Sequence, residues 1–211
     1  MLLENVLRVQ PSTKESALPG SYNSALRADA EPDLVEGCKD GSLPAYERLY
    51  LSHGPRMKSI ALNLLGNTSD AEDAVQEAFL KIYRSVAEFR GKSAFTTWIY
   101  RILVNTCHDM RRSSHFKQEM RRLDPDTQEP GEALMQTVDH PMRLALEKCL
   151  DDLSPRNRTV FLLFEVEGFK HSEIAEIMGI PEGTSKNSLF DAKRELRRML
   201  KDSPRPLRST L

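Results

Sequence analysis

Residues 70–112, DAEDAVQEAFLKIYRSVAEFRGKSAFTTWIYRILVNTCHDMRR, decide the fold because they predict two helices joined by a short loop. Apolar side chains recur at helical spacing between residues 71 and 86, and again between residues 95 and 106. The loop around Gly91 interrupts this periodicity with a glycine between two basic residues. The stretch therefore predicts an α-helical hairpin.

The two helices of this hairpin carry opposite charges. Opposite its apolar stripe, the first helix begins with an acidic face, where negative charge also suits the helix dipole. Its members are Glu72, Asp73, Gln76 and Glu77. The polar groups around the second helix are mainly basic, namely Lys92, Arg101, Arg111 and Arg112. This pattern favours two partners, a basic protein surface and a nucleic acid, although an amphipathic hairpin with solvated charges is equally consistent with this stretch alone.

Two segments carry a resemblance to a known family. Residues 70–83 (DAEDAVQEAFLKIY) and 89–106 (FRGKSAFTTWIYRILVNT) closely resemble the second conserved region of the extracytoplasmic-function (group IV, sigma-70) sigma factors of bacterial RNA polymerase. Residues 168–200 (GFKHSEIAEIMGIPEGTSKNSLFDAKRELRRML) resemble the fourth conserved region. The resemblance implies a sigma-E-like, all-α protein without enzymatic activity or cofactor. It would bind core polymerase and direct promoter-specific transcription initiation.

The chain divides into two predicted helical domains. Residues 1–33 lack periodicity and predict a disordered extension. Residues 34–112 predict a compact helical bundle, the sigma region 2 unit. Residues 113–140 have few apolar positions, are basic at the start and acidic afterwards, and contain Pro125, Pro130 and Gly131, so they predict a flexible linker. Residues 141–203 predict the sigma region 4 unit, followed by a tail at 204–211.

Local signals predict the elements within each domain. Pro55 predicts the start of a third helix, separate from the one before it. Ser69 or Asp70 is the expected N-cap of the acidic helix. In the second domain, a helix at Ser172–Met178, a turn through Gly179 and a basic helix from about Glu182 to Lys201 describe a helix-turn-helix.

The net charge of −1 hides a strong segregation of charge. Residues 92–122 sum to +5, residues 123–152 to −6, and residues 186–201 to +4. Two basic patches on either side of an acidic tract favour a protein that contacts DNA at two separate surfaces over one whose whole surface is basic.

The cysteines and the hydropathy argue against several classes of protein. Cys38, Cys107 and Cys149 are far apart and odd in number, so a disulfide framework or zinc site is not expected. Cys107 beside His108 is interpreted as a buried free thiol next to a surface histidine. No apolar run approaches the roughly 20 residues that span a bilayer, and no signal peptide is recognised. We therefore expect a cytoplasmic protein.

The resemblance assigns roles to the residues of the first domain. The acidic face of Glu72, Asp73, Gln76 and Glu77 would bind core polymerase. Melting and minus-ten recognition would use a base-capturing loop and the basic helix after it, at Phe89, Arg90, Gly91, Lys92, Ser93, Arg101, Asn105, Arg111 and Arg112. Loop aromatics and cations suit an unstacked base and its phosphates. Trp98 could stack on a base, but its spacing favours the core.

Minus-thirty-five recognition would use the start of the second helix of the helix-turn-helix, where side chains meet base edges in the major groove. The candidates are Thr184, Lys186, Asn187, Ser188, Phe190, Lys193 and Arg194. Ser188 and Asp191 stand where the family pattern usually has a basic residue. The upstream promoter sequence that this protein recognises is therefore expected to differ from the one that the family pattern recognises. Lys170 replaces the usual hydroxyl N-cap of the preceding helix.

Two other functions compete with this one. A stand-alone helix-turn-helix regulator would explain the C-terminal domain but leaves the acidic helix without a role. A hydrolase or metalloenzyme has little support, because no P-loop, nucleophile elbow or metal spacing is present. The resemblance also implies an anti-sigma factor as a partner and no insertion into a membrane.

Overall fold

The computed structural model describes residues 31–123, 146 and 148–202. Throughout these residues the regular structure is helical, with no strand, which confirms the predicted all-α fold. Residues 1–30 of the predicted extension, most of the predicted linker and the C-terminal tail lie outside the described residues, whereas residues 31–33 of that extension are the start of a helix. The helices are α1 (Glu31–Lys39), α2 (Leu43–Leu65), α3 (Thr68–Ser85), a 3₁₀ turn (Val86–Glu88), α4 (Phe95–Leu123), α5 (Pro155–Phe161) with a π turn (Leu162–Val166), α6 (His171–Met178) and α7 (Glu182–Asp202). Residues 146 and 148–151 are also helical.

Helices α1–α4 form the first unit around one apolar core. On α3 the buried positions include Ala71, Ala74 and Ala78, all fully buried. Such small side chains let the neighbouring helices approach closely, and large side chains from α2 and α4 fill the remaining space. The largest fully buried side chains of this unit are Leu49, Met57, Ile60, Ile82, Ile99 and Leu103, of which Ile82 lies on α3.

The predicted helix boundary at Pro55 is wrong, because α2 runs continuously from Leu43 to Leu65 with the proline inside it. Proline removes one backbone donor from a helix and normally kinks or ends it, at a cost of about 3 kcal/mol. Leu49 before it and Met57 after it are both fully buried in the same core. This packing on both sides of the proline offsets the local cost.

The predicted N-cap of α3 is also wrong by two or three residues. The side chain of Asn67 accepts a hydrogen bond of 2.8 Å from the backbone N–H of Asp70. In return, Asn67 Nδ2 donates to the Asp70 carboxylate at 2.7 Å. Asp70 therefore supports the cap from the first turn instead of forming it.

Helix α4 continues to Leu123, so the expected domain boundary at residue 112 falls inside a helix. Between this boundary and Pro125 the sequence contains no glycine or proline. Nothing in the local sequence ends the helix there, and the basic stretch that was read as linker is its C-terminal extension.

Helices α5–α7 form the second unit and confirm the predicted helix-turn-helix. Helix α6 ends at Gly179, whose φ of 64° is the left-handed conformation that glycine adopts without strain. Helix α7 begins three residues later. The start of α6 lacks a side-chain cap from Lys170, but the Glu173 carboxylate accepts from the Lys170 backbone N–H at 2.9 Å. The core includes Val160, Phe161, Leu163, Ile174, Ile177, Ala192 and Leu196.

The two units pack directly against each other. The carboxylate of Glu167, just after the π turn, accepts hydrogen bonds from Ser59 Oγ at 2.8 Å and Asn63 Nδ2 at 2.7 Å on α2. Arg56 donates to the Glu167 backbone carbonyl at 2.8 Å, and its guanidinium lies 4.1 Å from the centre of the Phe169 ring. Polar and cation–π contacts thus join α2 to the turn that precedes the helix-turn-helix.

Candidate core-binding and nucleic-acid interfaces

The acidic residues predicted to bind polymerase lie together on the outer face of α3. Asp73 and Gln76 are exposed, while Glu72 and Glu77 are about half exposed and form ion pairs. Glu72 binds Lys58 of α2 at 2.6 Å, and this hydrogen bond raises the pKa of Lys58. The face thus presents the exposed Asp73 and Gln76 beside two carboxylates that are paired with lysines.

The predicted base-capturing loop forms one wall of a cavity of about 440 Å³. Phe89 is half-buried, with its ring centre 5.3 Å from that of Phe95 and 5.2 Å from that of Trp98. Gly91 has a φ of 67°, which other residues rarely adopt, so it sets the path of the loop. Trp98 belongs to this half-buried aromatic cluster, and Phe95 stacks on it at 5.7 Å.

Helix α1 also lines this cavity, although the sequence did not assign it to any site. Its contributors are Pro32, Val35, Glu36 and Lys39. Lys39 Nζ lies 2.9 Å from Glu36 Oε1, so a cation and a carboxylate stand side by side at the edge of the cavity. The sequence does show that Glu36 and Lys39 are three residues apart and therefore share one face of a helix. It does not show that this face lies beside the loop.

The basic residues predicted to contact the melted strand have different surroundings. Arg90 and Lys92 are exposed, and so is Asn105 on α4. Arg112 is exposed and forms an ion pair of 3.3 Å with Asp109. Ser93 is half-buried and lines the cavity.

Two further arginines of this set are partly exposed and bond to residues that follow the linker. Arg101 Nε donates to the backbone carbonyl of Glu176 at 2.9 Å. Arg111 donates to the Leu64 carbonyl at 3.2 Å and to Asp151 at 3.0 Å. Nearby, the buried Arg158 also binds Asp151 and the Leu64 carbonyl. Sequence reasoning missed these contacts because they depend on how the two units pack.

The start of α7 presents three of its predicted base-reading residues to solvent. Lys186, Asn187 and Phe190 are exposed, and Lys186 forms an ion pair of 2.7 Å with Glu182. This hydrogen bond from Lys186 lowers the pKa of Glu182. Thr184 is partly exposed.

Ser188 differs from the others because it is only 5% exposed. It lies on the inner face of α7 together with the fully buried Ser185, whose hydroxyl is 2.9 Å from His171 Nδ1. A small hydroxyl residue fits this buried position, whereas a long basic side chain would have to leave it. The burial does not favour direct base contact by Ser188.

The two remaining predicted contacts on α7 are cations held by acidic neighbours. Lys193 pairs with Glu165 at 2.6 Å. Arg194 pairs with Asp191 at 2.9 Å and lies near the Phe190 ring. Asp191 therefore reduces the positive charge of the helix in two ways. It stands at a position where the family pattern usually has a basic residue, and its carboxylate pairs with Arg194.

The cysteines are free and buried, as expected for Cys107. Burial raises the pKa of the Cys107 thiol to about 12. The neighbouring His108 is not a surface residue: it is half-buried and its Nε2 lies 2.8 Å from the Thr159 hydroxyl of the second unit. Within the described residues, no helix is long and apolar enough to cross a membrane.

Comparison with known proteins identifies the family. The Sigma-70 region 2 family matches residues 49–116, and the Sigma-70, region 4 family matches residues 143–196. The RNA polymerase sigma-H factor of Pseudomonas aeruginosa is 29% identical over 191 residues, covering 83% of this chain and 96% of the relative. The ECF RNA polymerase sigma-E factor of Escherichia coli K12 is 31% identical over 171 residues, covering 76% and 88%.

Solved structures share the fold. CnrH, in complex with the cytosolic domain of CnrY, matches with a TM-score of 0.62 and 21% identity over 83% of this chain and all of that one. The sigma factor RpoE of Bartonella quintana, in complex with the anti-sigma factor NepR, matches with a TM-score of 0.56 and 24% identity over 75% and 98%. The chain belongs to the extracytoplasmic-function group of the sigma-70 family. It is a sigma factor, a non-enzymatic subunit that directs promoter-specific transcription initiation.

Proposed function

We propose that the two units divide the work of initiation. The first unit holds core polymerase through the acidic face of α3 and captures the melted minus-ten strand at the cavity beside Gly91. The second unit reads minus-thirty-five duplex through the start of α7. The observation that carries this proposal is that the three surfaces are separate. The acidic face lies on α3, and the cavity is lined by the loop that follows α3. The exposed Lys186 and Asn187 lie on the second unit.

Each surface suits its partner chemically. Asp73 and Gln76 offer exposed acceptors to a basic protein surface without disturbing the buried alanines behind them. The half-buried Phe89 offers a stacking surface, worth about 1–3 kcal/mol per base, and Arg90 and Lys92 supply charge for phosphates. On α7, Asn187 can bond adenine and Lys186 can donate to guanine.

Two further features of the proposal follow from the family. The protein acts in the cytoplasm, where bacterial polymerase works. An anti-sigma factor that contacts both units regulates it, and the fold likeness to sigma factors solved with partners supports this.

Run-off transcription tests the proposal. The purified chain is mixed with bacterial core polymerase and a library of genomic fragments, and the transcripts are sequenced. We expect discrete start sites that share two upstream motifs. Tight, specific binding to duplex DNA without any effect of core polymerase would contradict the proposal and favour a stand-alone regulator.

A further inference from the structure

We infer that α1 is a specificity element for the extruded base, and that Glu36 and Lys39 read its hydrogen-bonding edge. This inference rests on the proposed capture of an extruded base by the loop around Gly91. It adds a second wall, on a different helix, that selects which base is captured. The conserved-region resemblance in residues 70–106 does not include these two residues.

The geometry brings the helix and the loop to one cavity. Glu36 and Lys39 line it from α1, while Phe89, Arg90 and Gly91 line it from the loop. Its volume of about 440 Å³ lies within the range of about 300–1,000 Å³ that small-molecule sites occupy. An entering base can therefore contact the loop on one side and α1 on the other.

The position of α1 is fixed by its packing. Leu34, Val35 and Cys38 are 6%, 8% and 1% exposed and anchor the inner face of the helix. Tyr46 donates to the Cys38 carbonyl at 2.9 Å. A Cβ atom on Gly37 would lie only 2.8 Å from Ala45 Cβ, so α1 and α2 are in close contact there. The packing of α1 thus fixes the backbone positions of Glu36 and Lys39, as specific recognition requires.

The chemistry of the pair selects a class of base. A carboxylate only accepts hydrogen bonds and an ammonium only donates them. With Lys39 Nζ 2.9 Å from Glu36 Oε1, the pair presents an acceptor beside a donor. Cytosine, adenine and guanine each carry an exocyclic amino group next to a ring nitrogen, whereas thymine carries a carbonyl in its place. Glu36 accepts from such an amino group and repels a carbonyl oxygen, so the cavity discriminates against thymine.

The test compares bases in which this amino group is replaced by a carbonyl and the adjacent ring nitrogen becomes an N–H donor. Start-site selection with core polymerase on a promoter library first identifies the melted position at which thymine is disfavoured. Promoters carrying cytosine or uracil at that position, or adenine or hypoxanthine, are then transcribed by the wild type, Glu36→Gln and Lys39→Ala. Glu47→Ala, at an exposed position of α2, is the matched control.

We expect the wild type to prefer the amino-bearing base by about tenfold, within the roughly 1–3 kcal/mol of one good side-chain–base pair. Glu36→Gln should reduce this preference below about threefold, because an amide also donates, and Lys39→Ala should weaken it as well. Binding to core polymerase should be unchanged in both. Wild-type base preference in both variants would overturn the inference and leave the proposed function intact. A wild type that initiates at no promoter would overturn the proposed function itself.

Discussion

Arg101 on α4 donates a hydrogen bond of 2.9 Å from its Nε to the backbone carbonyl of Glu176 on α6. An arginine that was predicted to contact promoter DNA is therefore bonded to the first helix of the helix-turn-helix. Arg111, predicted for the same role, binds Asp151 and the Leu64 carbonyl. While the units are docked, both guanidiniums are bonded to acceptors within the protein, so contact with DNA phosphates through them competes with these bonds.

The first prediction concerns this docking. Glu167→Ala removes the acceptor of Ser59 and Asn63. Hydrogen bonds to a charged group are worth about 1.5–3 kcal/mol, less where solvent reaches them, so the ratio of docked to separated molecules should fall by about tenfold. Energy transfer between dyes on Ser52→Cys and Arg198→Cys measures the separation, because the native cysteines are buried.

Glu176→Ala is the control for this experiment. Its side chain is exposed and Arg101 binds only the backbone carbonyl, which the substitution keeps. The control should retain wild-type energy transfer. Equal separation in Glu167→Ala and the wild type would show that the Glu167 contacts do not hold the units together.

The second prediction concerns core polymerase. The double charge reversal Asp73→Lys with Glu77→Lys should lower affinity for the core by at least about 100-fold, because two attractive contacts become repulsive. Neither side chain is in the core, so the circular dichroism spectrum should not change. The same charge change at two other exposed sites, Asp40→Lys with Asp152→Lys, is the control. Wild-type affinity in the first pair would remove the assignment of α3.

The third prediction separates strand capture from docking on duplex. Asn105 is exposed on α4, so Asn105→Ala should fold normally. If it contacts the separated strand, open-complex formation should fall by about tenfold while closed-complex binding stays within about twofold. Permanganate footprinting and filter binding report the two stages, with Ser113→Ala on the same helix as control. An equal loss at both stages would argue against a strand-capture role.

The fourth prediction concerns pH and His108. The Thr159 hydroxyl donates its proton to the Pro155 carbonyl, so the His108 Nε2–H donates to Thr159 at 2.8 Å. Burial lowers the pKa of His108 from its ordinary value of 6.5, against the smaller opposing effect of Asp109. Below that value the unfolded chain binds the proton and the folded chain does not, so the free energy of unfolding falls as the pH falls.

Urea denaturation at about pH 7.5 and pH 5.5, on either side of the ordinary histidine value, measures this effect. His108→Gln removes the titrating group but keeps a donor for Thr159. The wild type should lose more stability than the variant over this interval, by at most about 1.4 kcal/mol per pH unit, the limit for one proton. Parallel pH profiles would show that His108 does not titrate differently in the folded state.

Local sequence signals predicted most helices but not their ends. The helix-turn-helix was predicted correctly because Gly179 and Pro181 interrupt a strong apolar periodicity. Pro55 gave a false boundary, since long-range packing of Leu49 and Met57 overrides its local preference. Asn67 was missed as a cap because several capping residues follow one another there.

The site was less predictable than the fold because it depends on tertiary contacts. The acidic face of α3 follows from helical spacing alone. By contrast, the place of α1 beside the cavity depends on the packing of Gly37 against Ala45, and the burial of Ser188 depends on how α7 packs within the second unit. The partners of Arg101 lie 75 residues away in the chain, at a distance that no local pattern encodes.

The most direct test of the account is a reconstituted initiation assay. Core polymerase, the purified chain and one promoter recovered from the fragment library are combined, and the first phosphodiester bonds are counted with and without the chain. We predict that transcripts from the mapped start site appear only when the chain is present and are lost with Asp73→Lys and Glu77→Lys combined. Absence of specific initiation by the wild-type chain with bacterial core polymerases would contradict the account.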